Sequence, residues 1–184
     1  MKKLSLDELN RITVEEFKHA PKHPIVVVLD NIRSMNNVGS FFRTGDAFRI
    51  EKIYLCGFTP TPPHREISRS ALGAELAVDW EKAEDTTSVL HFLKKNGYQI
   101  MAVEQAEGSI ELERFEWDTD QPLAVIFGNE VTGVDEKVMA LVDGSLEISQ
   151  YGTKHSLNVA VSGGIVLWQL LIQYQKKNNT QKLK

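Results

Sequence analysis

The sequence predicts an α/β domain with a mostly parallel sheet flanked by helices, and three features of the 184-residue chain predict it. Ile25-Val26-Val27-Val28-Leu29 and Leu123-Ala124-Val125-Ile126-Phe127 are unbroken apolar runs, without the in-out alternation of a half-solvated strand. Such runs belong to strands covered on both faces, as parallel strands are. Segments of helical period lie between the strand-like runs, and that alternation builds βαβ units. The joints are short, polar and glycine-bearing, with no dividing linker and no internal repeat, so the chain goes into one core.

Residues 1–24 read as a helical lead-in. Ser5 can cap a segment carrying Leu6, Leu9 and Ile12, and Thr13-Val14-Glu15-Glu16 is a capping-box pattern. Pro21 and Pro24 stop it. The strand at 25–29 passes through the polar stretch 30–39 into a helix through Phe42, Arg43, Ala47 and Phe48. Residues 52–55 are the next strand, ending at Cys56-Gly57. Thr59-Pro60-Thr61-Pro62-Pro63 is a stiff loop, 66–72 a short helix and 77–80 a strand. Residues 87–95 make a helix closed by Asn96-Gly97. Strands follow at 98–103, 123–127 and 146–148, a short helix at 135–141 and a long, mostly apolar helix at 157–173. The expected division is a lead-in at 1–24, a single domain at 25–175, and a polar basic tail at 176–184 that frays.

Composition narrows the function classes. At 42% hydrophobic and 25% charged residues the chain is an ordinary globular one. No apolar run reaches the roughly 18 residues of a bilayer span, so no membrane partner is expected. The start lacks a signal-peptide apolar stretch, which predicts a cytoplasmic protein. Cys56 is the single cysteine, which excludes an intramolecular disulfide and a cysteine-based zinc site; no metal site is expected. The net charge of −4 counts against a simple basic nucleic-acid binder. Local charge can still serve: Arg33, Arg43, Arg49 and Lys52 are close in sequence, His64, Arg65 and Arg69 form a second group, and Lys154 and His155 a third. Scattered solvated charges account for these groups equally well.

The common phosphate cradles are absent. The first strand runs into Asp30-Asn31-Ile32-Arg33-Ser34, not G-x-G-x-x-G. Gly128-Asn129-Glu130-Val131-Thr132-Gly133 has the glycine spacing of a P-loop but continues Val134-Asp135, without the lysine and hydroxyl that hold phosphate and magnesium. A doubly wound nucleotide enzyme is disfavoured accordingly, and no G-x-S-x-G elbow is present. Three polar segments remain at the carboxyl ends of strands, where open α/β sheets bind ligands. The first, from Asn36 to Ala47, is also an ordinary helix capped by Asn36 or Asn37. Six residues turn a helix roughly 240° past a full circle, so Asn37 and Arg43 do not share its face. The second is a buried strand ending in Gly128-Asn129-Glu130, which is also a tight strand-to-helix turn. The third holds Ser156-Leu157-Asn158, with Ser156 able to cap the long helix, and Gly163-Gly164 inside that helix. Two internal glycines cost roughly 2 kcal/mol against alanine, so something must approach that backbone closely.

In order along the chain, the three segments resemble the signature motifs of the SpoU (TrmH-type) branch of the SPOUT RNA methyltransferases. Asn37 and Arg43 match its N-x-x-x-x-x-R motif, Gly128 and Glu130 its strand-Gly-x-Glu motif, and Ser156 and Asn158 its Ser-x-Asn motif. Ser70-Ala71-Leu72-Gly73-Ala74 is similar to a weaker family segment. The resemblance covers about 25–174. It implies a SPOUT-type α/β fold with a C-terminal trefoil knot, a homodimer whose site is completed across the interface, and S-adenosylmethionine held largely by backbone groups near Val103, Gly128, Ile148, Ser156 and Leu157. It also implies methyl transfer to a ribose 2′-hydroxyl of RNA, tRNA favoured. Ribosomal RNA and a non-catalytic RNA-binding role are the alternatives. The implied catalytic set is Arg43, Asn37, Glu130, Ser156 and Asn158, with Arg43 central. Arginine is an awkward base because its pKa exceeds about 12, so Arg43 is expected first to grip the adjacent phosphate and orient the hydroxyl. Asn37 is expected to orient Arg43 or the ribose, and Glu130 to position Arg43 or Asn158. Lys176, Lys177, Lys182 and Lys184 are expected to add phosphate contacts.

Overall fold

The structure, a computed structural model, describes residues 1–5 and 7–181. The predicted lead-in position Leu6 and the tail lysines Lys182 and Lys184 lie outside the described residues. Thirteen of the elements are α1 (Val14–His19), β1 (His23–Asp30), α2 (Met35–Ala47), β2 (Ile50–Cys56), α3 (Arg65–Ala71), β3 (Trp80–Ala83), α4 (Thr86–Lys95), β4 (Gln99–Val103), β5 (Ile110–Glu111), β6 (Leu123–Phe127), α5 (Glu136–Met139), β7 (Gly144–Glu147) and α6 (Val159–Gln181). The strands form one sheet in the order β3-β2-β1-β6-β4-β7-β5, and every pairing is parallel. Among the described residues, no helix is long and apolar enough to cross a membrane.

β1 shows why an unbroken apolar run becomes an inner strand. Ile25, Val27 and Leu29 belong to a core shared with Phe41 and Phe42 of α2, Ile67 of α3 and Val166, Leu167 and Leu170 of α6. Val26 and Val28 join Val89, Leu90 and Leu93 of α4 and Val138 of α5 on the other face. Each residue from Ile25 to Leu29 is at most 1% exposed, so both faces contribute burial free energy of about 25 cal/mol per Å². From β1 the chain builds outward to β2 and β3, then crosses to β4 on the opposite flank, and β6 later inserts between β1 and β4. The reversal puts a topological switch point at the carboxyl ends of β1 and β6.

Several local expectations change. Of residues 77–80 only Trp80 is in a strand. Val78 and Ala77 each donate to the Ala74 carbonyl, closing a 3-10 turn, and they reach the core from that turn; the strand starts at Trp80. Ser34, not Asn36 or Asn37, caps α2, accepting from the Asn37 amide at 3.3 Å. Asn158, not Ser156, caps α6, accepting from the Ala160 and Val161 amides at 3.0 and 3.2 Å. α6 runs on through Gln181 instead of fraying at 176, and Lys177 pairs with Asp118 and Asp120 at 3.4 and 2.7 Å. Lys177, one of the tail lysines expected to add phosphate contacts, is thus ion-paired within the chain. The Thr13 capping box forms as expected, with Thr13 N–H donating to Glu16 at 2.7 Å.

The two helix glycines part company. A β-carbon on Gly163 would overlap the Phe41 ring, whereas one on Gly164 would meet nothing within 4 Å. Gly163 thus lets α6 close on α2. Gly163→Val is expected to destabilise the protein by about 1–3 kcal/mol through overpacking against a fully buried ring. A urea midpoint unchanged at constant m-value would show that the contact is not limiting.

Candidate active site at the sheet switch point

The site begins with the turn after β6. Asn129 and Gly133 exchange backbone hydrogen bonds at 3.0 and 2.9 Å, closing Gly128–Gly133 into a tight loop. A β-carbon on Gly128 would overlap the Gly133 and Val134 backbone, so only glycine permits the closure. The Asn129 side chain accepts from Val131 N–H at 2.9 Å and donates to the Asn31 carbonyl at 2.7 Å, tying the turn to the loop after β1. From the other side Glu104 accepts from the Val134 and Gln105 amides at 3.1 and 3.0 Å.

This scaffold aims Glu130 at the start of α2. Its carboxylate accepts from Arg33 N–H, Ser34 N–H and Asn37 Nδ2, each at 2.9 Å. Partial burial alone would raise the Glu130 pKa, but these three donors hold it below the usual carboxylate range. Asn37, buried in the first turns of α2, uses both ends of its amide. Nδ2 donates to Glu130, and Oδ1 accepts from Asn158 Nδ2 at 3.1 Å. Asn158 in turn accepts from the first amides of α6. A directed chain, Asn158 to Asn37 to Glu130, therefore joins three segments across separations of 121 and 93 residues. Neither Asn37 nor Glu130 hydrogen-bonds to Arg43: Glu130 holds the N-terminus of α2 and reaches Asn158 through Asn37.

Beside this chain lies a cleft of about 510 Å³. Val103, Gly128, Ile148, Ser156 and Leu157, the five positions expected around the cofactor, all line it, together with Glu130 and Asn158. The sequence did not point to Glu104, Gln105 or Glu147, which line it as well; a carboxylate directly after an apolar strand was the available signal at Glu104. Gln105 Nε2 donates to the His155 carbonyl at 2.9 Å, drawing the loop before α6 over the cleft. No lysine, arginine or histidine is among the lining residues, whereas three carboxylates are. Such a lining suits a cationic, phosphate-free cofactor and repels a polyphosphate.

Arg43 stands elsewhere. It is exposed on α2 and lines an open depression with Ser40, Thr44, Phe48, Ser70 and Gly164. Its guanidinium has no partner among the described residues.

Comparison with known proteins bears on the family and the fold. The profile of the SpoU rRNA Methylase family matches residues 24–168. The tRNA (guanosine(18)-2′-O)-methyltransferase of Thermus thermophilus is 28% identical over 162 residues, 88% of this chain and 81% of that protein. The crystal structure of the A. aeolicus TrmH/SpoU tRNA modifying enzyme superposes with a TM-score of 0.79 at 24% identity, covering 90% of this chain and 84% of that one. The AdoMet-bound rRNA methyltransferase from Sinorhizobium meliloti superposes with a TM-score of 0.75 at 27% identity, covering 83% of this chain and 58% of that one. Fold, cleft and relatives together define a methyltransferase of the α/β class. The chain belongs to the SpoU rRNA Methylase family.

Proposed function

We propose that the protein transfers the methyl group of S-adenosylmethionine to a ribose 2′-hydroxyl of RNA, with tRNA as the favoured substrate. The observation that carries this reading is the hydrogen-bonded chain Asn158–Asn37–Glu130 on the wall of a cleft whose lining is acidic and free of basic side chains. The cofactor supplies an activated methyl group on a cationic sulfur. The chain's own residues do the rest. Val103, Gly128, Ile148, Ser156 and Leu157 surround the cofactor, and Glu130, through Asn37, holds Asn158 at the edge where the ribose enters. A 2′-hydroxyl is a weak nucleophile and needs orientation and electrostatic help. Arg43 is the group assigned to it, gripping the phosphate next to the reacting ribose in the two-pronged way suited to guanidinium.

Because Arg43 is outside the cleft of its own chain, we assign it to the cleft of a second copy. The outer face of α6 supports such a homodimer. Val161, Ile165 and Trp168 are exposed there, Trp168 at 53%, and Gly164 borders the same depression as Arg43. Mixing inactive Arg43→Ala and Asn158→Ala proteins then tests the shared site. Random exchange puts about half of the molecules in mixed dimers with one intact site each, restoring about a quarter of the wild-type rate. No recovery after verified exchange would place Arg43 and Asn158 in the same site of one chain. The function itself is tested by methylating unmodified RNA with labelled cofactor and mapping the product nucleoside. A 2′-O-methyl nucleoside in tRNA is the expected product. Label confined to ribosomal RNA would replace the substrate, and base-methylated product would overturn the reaction.

A further inference from the structure

The loop that crosses the cofactor cleft carries a feature the reaction as described leaves unused. Tyr151 is 96% exposed, more than any other large apolar residue except the terminal Met1. Gly152 follows it, and Lys154 and His155 come within four residues. All of 151–155 is exposed, and the Lys154 ammonium and the His155 ring have no partner among the described residues. The loop does not wander from the site. Its preceding residue, Gln150, lines the cleft, Ser156 and Leu157 line it on the other side, and Gln105 holds the His155 carbonyl at 2.9 Å. With consecutive Cα atoms about 3.8 Å apart, Tyr151 stands one residue from the cleft wall. Val131 on the Gly128–Gly133 turn also lines the cleft and is 75% exposed. The cleft lining itself carries three carboxylates and no basic side chain.

We propose that Tyr151 is the stacking platform for a nucleobase of the RNA beside the methylated ribose, with Lys154 neutralising a neighbouring phosphate. The inference rests on the RNA methyltransferase reading above and adds to it a substrate-positioning surface. The chemistry favours RNA over the other occupants of an exposed aromatic. Single-stranded RNA is gripped by aromatic rings that stack its unpaired bases and by cations along its backbone. A ring next to Lys154 and His155 offers both within one short loop. The apolar face that suits a second copy is on α6, where Val161, Ile165 and Trp168 are exposed, and not on this loop. The arrangement also answers how an acidic chain engages a polyanion. Lys154 stands two residues from Ser156 of the cleft wall, whereas the lining itself carries Glu104, Glu130 and Glu147.

The test uses the full-length protein with unmodified tRNA transcripts. Tyr151→Ala is expected to weaken tRNA binding, read by fluorescence anisotropy and by KM, by about tenfold or more. Tyr151→Trp keeps an aromatic face and is expected to restore binding to near the wild-type level. S-adenosylmethionine affinity by calorimetry should stay within about twofold in both, since Tyr151 does not line the cofactor cleft. Lys154→Ala should lower the salt dependence of tRNA binding by roughly one ion. If wild-type protein methylates tRNA and Tyr151→Ala binds it unchanged, the stacking role falls while the function stands. A monomeric Tyr151→Ala protein in sedimentation would put Tyr151 in the subunit interface and overturn the inference equally. If wild-type protein neither binds nor methylates tRNA, the tRNA assignment falls first and the inference with it.

Discussion

Arg43→Ala is expected to lower methyl transfer by roughly a hundred- to a thousandfold, the cost of losing one preorganised donor at a reacting centre, while S-adenosylmethionine affinity changes by no more than a few-fold. The two halves of this expectation come from different observations. Arg43 does not line the cofactor cleft of its own chain, and in the cleft of a second copy it is assigned to the RNA phosphate, so its removal is expected to take little from the bound cofactor. It makes no hydrogen bond or ion pair among the described residues, so its removal leaves no buried partner unsatisfied and the fold intact. An exposed, unpaired guanidinium on a rigid helix is available for a phosphate oxygen, and its planar fork is what fixes the phosphate in one orientation. Arg43→Lys keeps the charge without the fork and is expected to recover only part of the rate. Single-turnover kinetics with calorimetry separates these quantities. Near-normal turnover in Arg43→Ala would show that another group orients the hydroxyl.

The second large effect is expected from Asn37→Asp, which replaces an amide by a carboxylate at the middle of the polar chain. Asparagine donates to Glu130 and accepts from Asn158 at the same time. Aspartate still accepts from Asn158 but sets a second carboxylate at 2.9 Å from the first. Two carboxylates at that distance do not both ionise cheaply, and the pair takes up a proton near neutral pH. The pH dependence follows. In the wild type the Glu130 pKa is lowered, so its contribution to stability is present above the unfolded value and is lost as pH falls through the lowered folded value. In Asn37→Asp the folded pKa of the pair is raised, so the stability defect is largest at neutral pH and above. It shrinks as pH falls through that raised value, where the shared proton restores the lost hydrogen bond, and is smallest below the unfolded value of about 4. At neutral pH the loss is expected to be about 1–3 kcal/mol, with catalysis lowered up to roughly a hundredfold by displacement of Asn158. Urea unfolding at several pH values checks the sign. A defect that grows on acidification would show that the pair is not coupled as the hydrogen bonds imply.

These residues also show how far a sequence of this kind can be read. β1 and β6 were legible because each carries five consecutive apolar residues, Ile25 to Leu29 and Leu123 to Phe127, a pattern that two-sided burial explains. The same criterion failed at Ala77 and Val78, where a buried apolar pair comes from a 3-10 turn, and it missed the short strand β5. Burial is visible in residue type, but the backbone shape that achieves it is not. The caps failed for a related reason. Ser34 and Asn37, or Ser156 and Asn158, are all competent acceptors, and only the entry angle of the chain decides which one meets the free amides. The glycine pair announced a close approach without saying that Gly163 meets Phe41 and Gly164 meets open space.

By itself the sequence determined the α/β class, the absence of a phosphate-binding loop and, through its motifs, part of the polar lining of the cleft, Glu130, Ser156 and Asn158, because residue chemistry and short-range periodicity are written along the chain. Only the tertiary structure decided their roles. Asn37 became the link between Glu130 and Asn158 instead of a partner of Arg43, and Arg43 was placed outside the cleft of its own chain. The physical reason is distance along the chain. Hydrogen bonds across 93 and 121 residues depend on β1 lying beside β6 and on α6 closing against Phe41, and no local pattern records which strand becomes which neighbour.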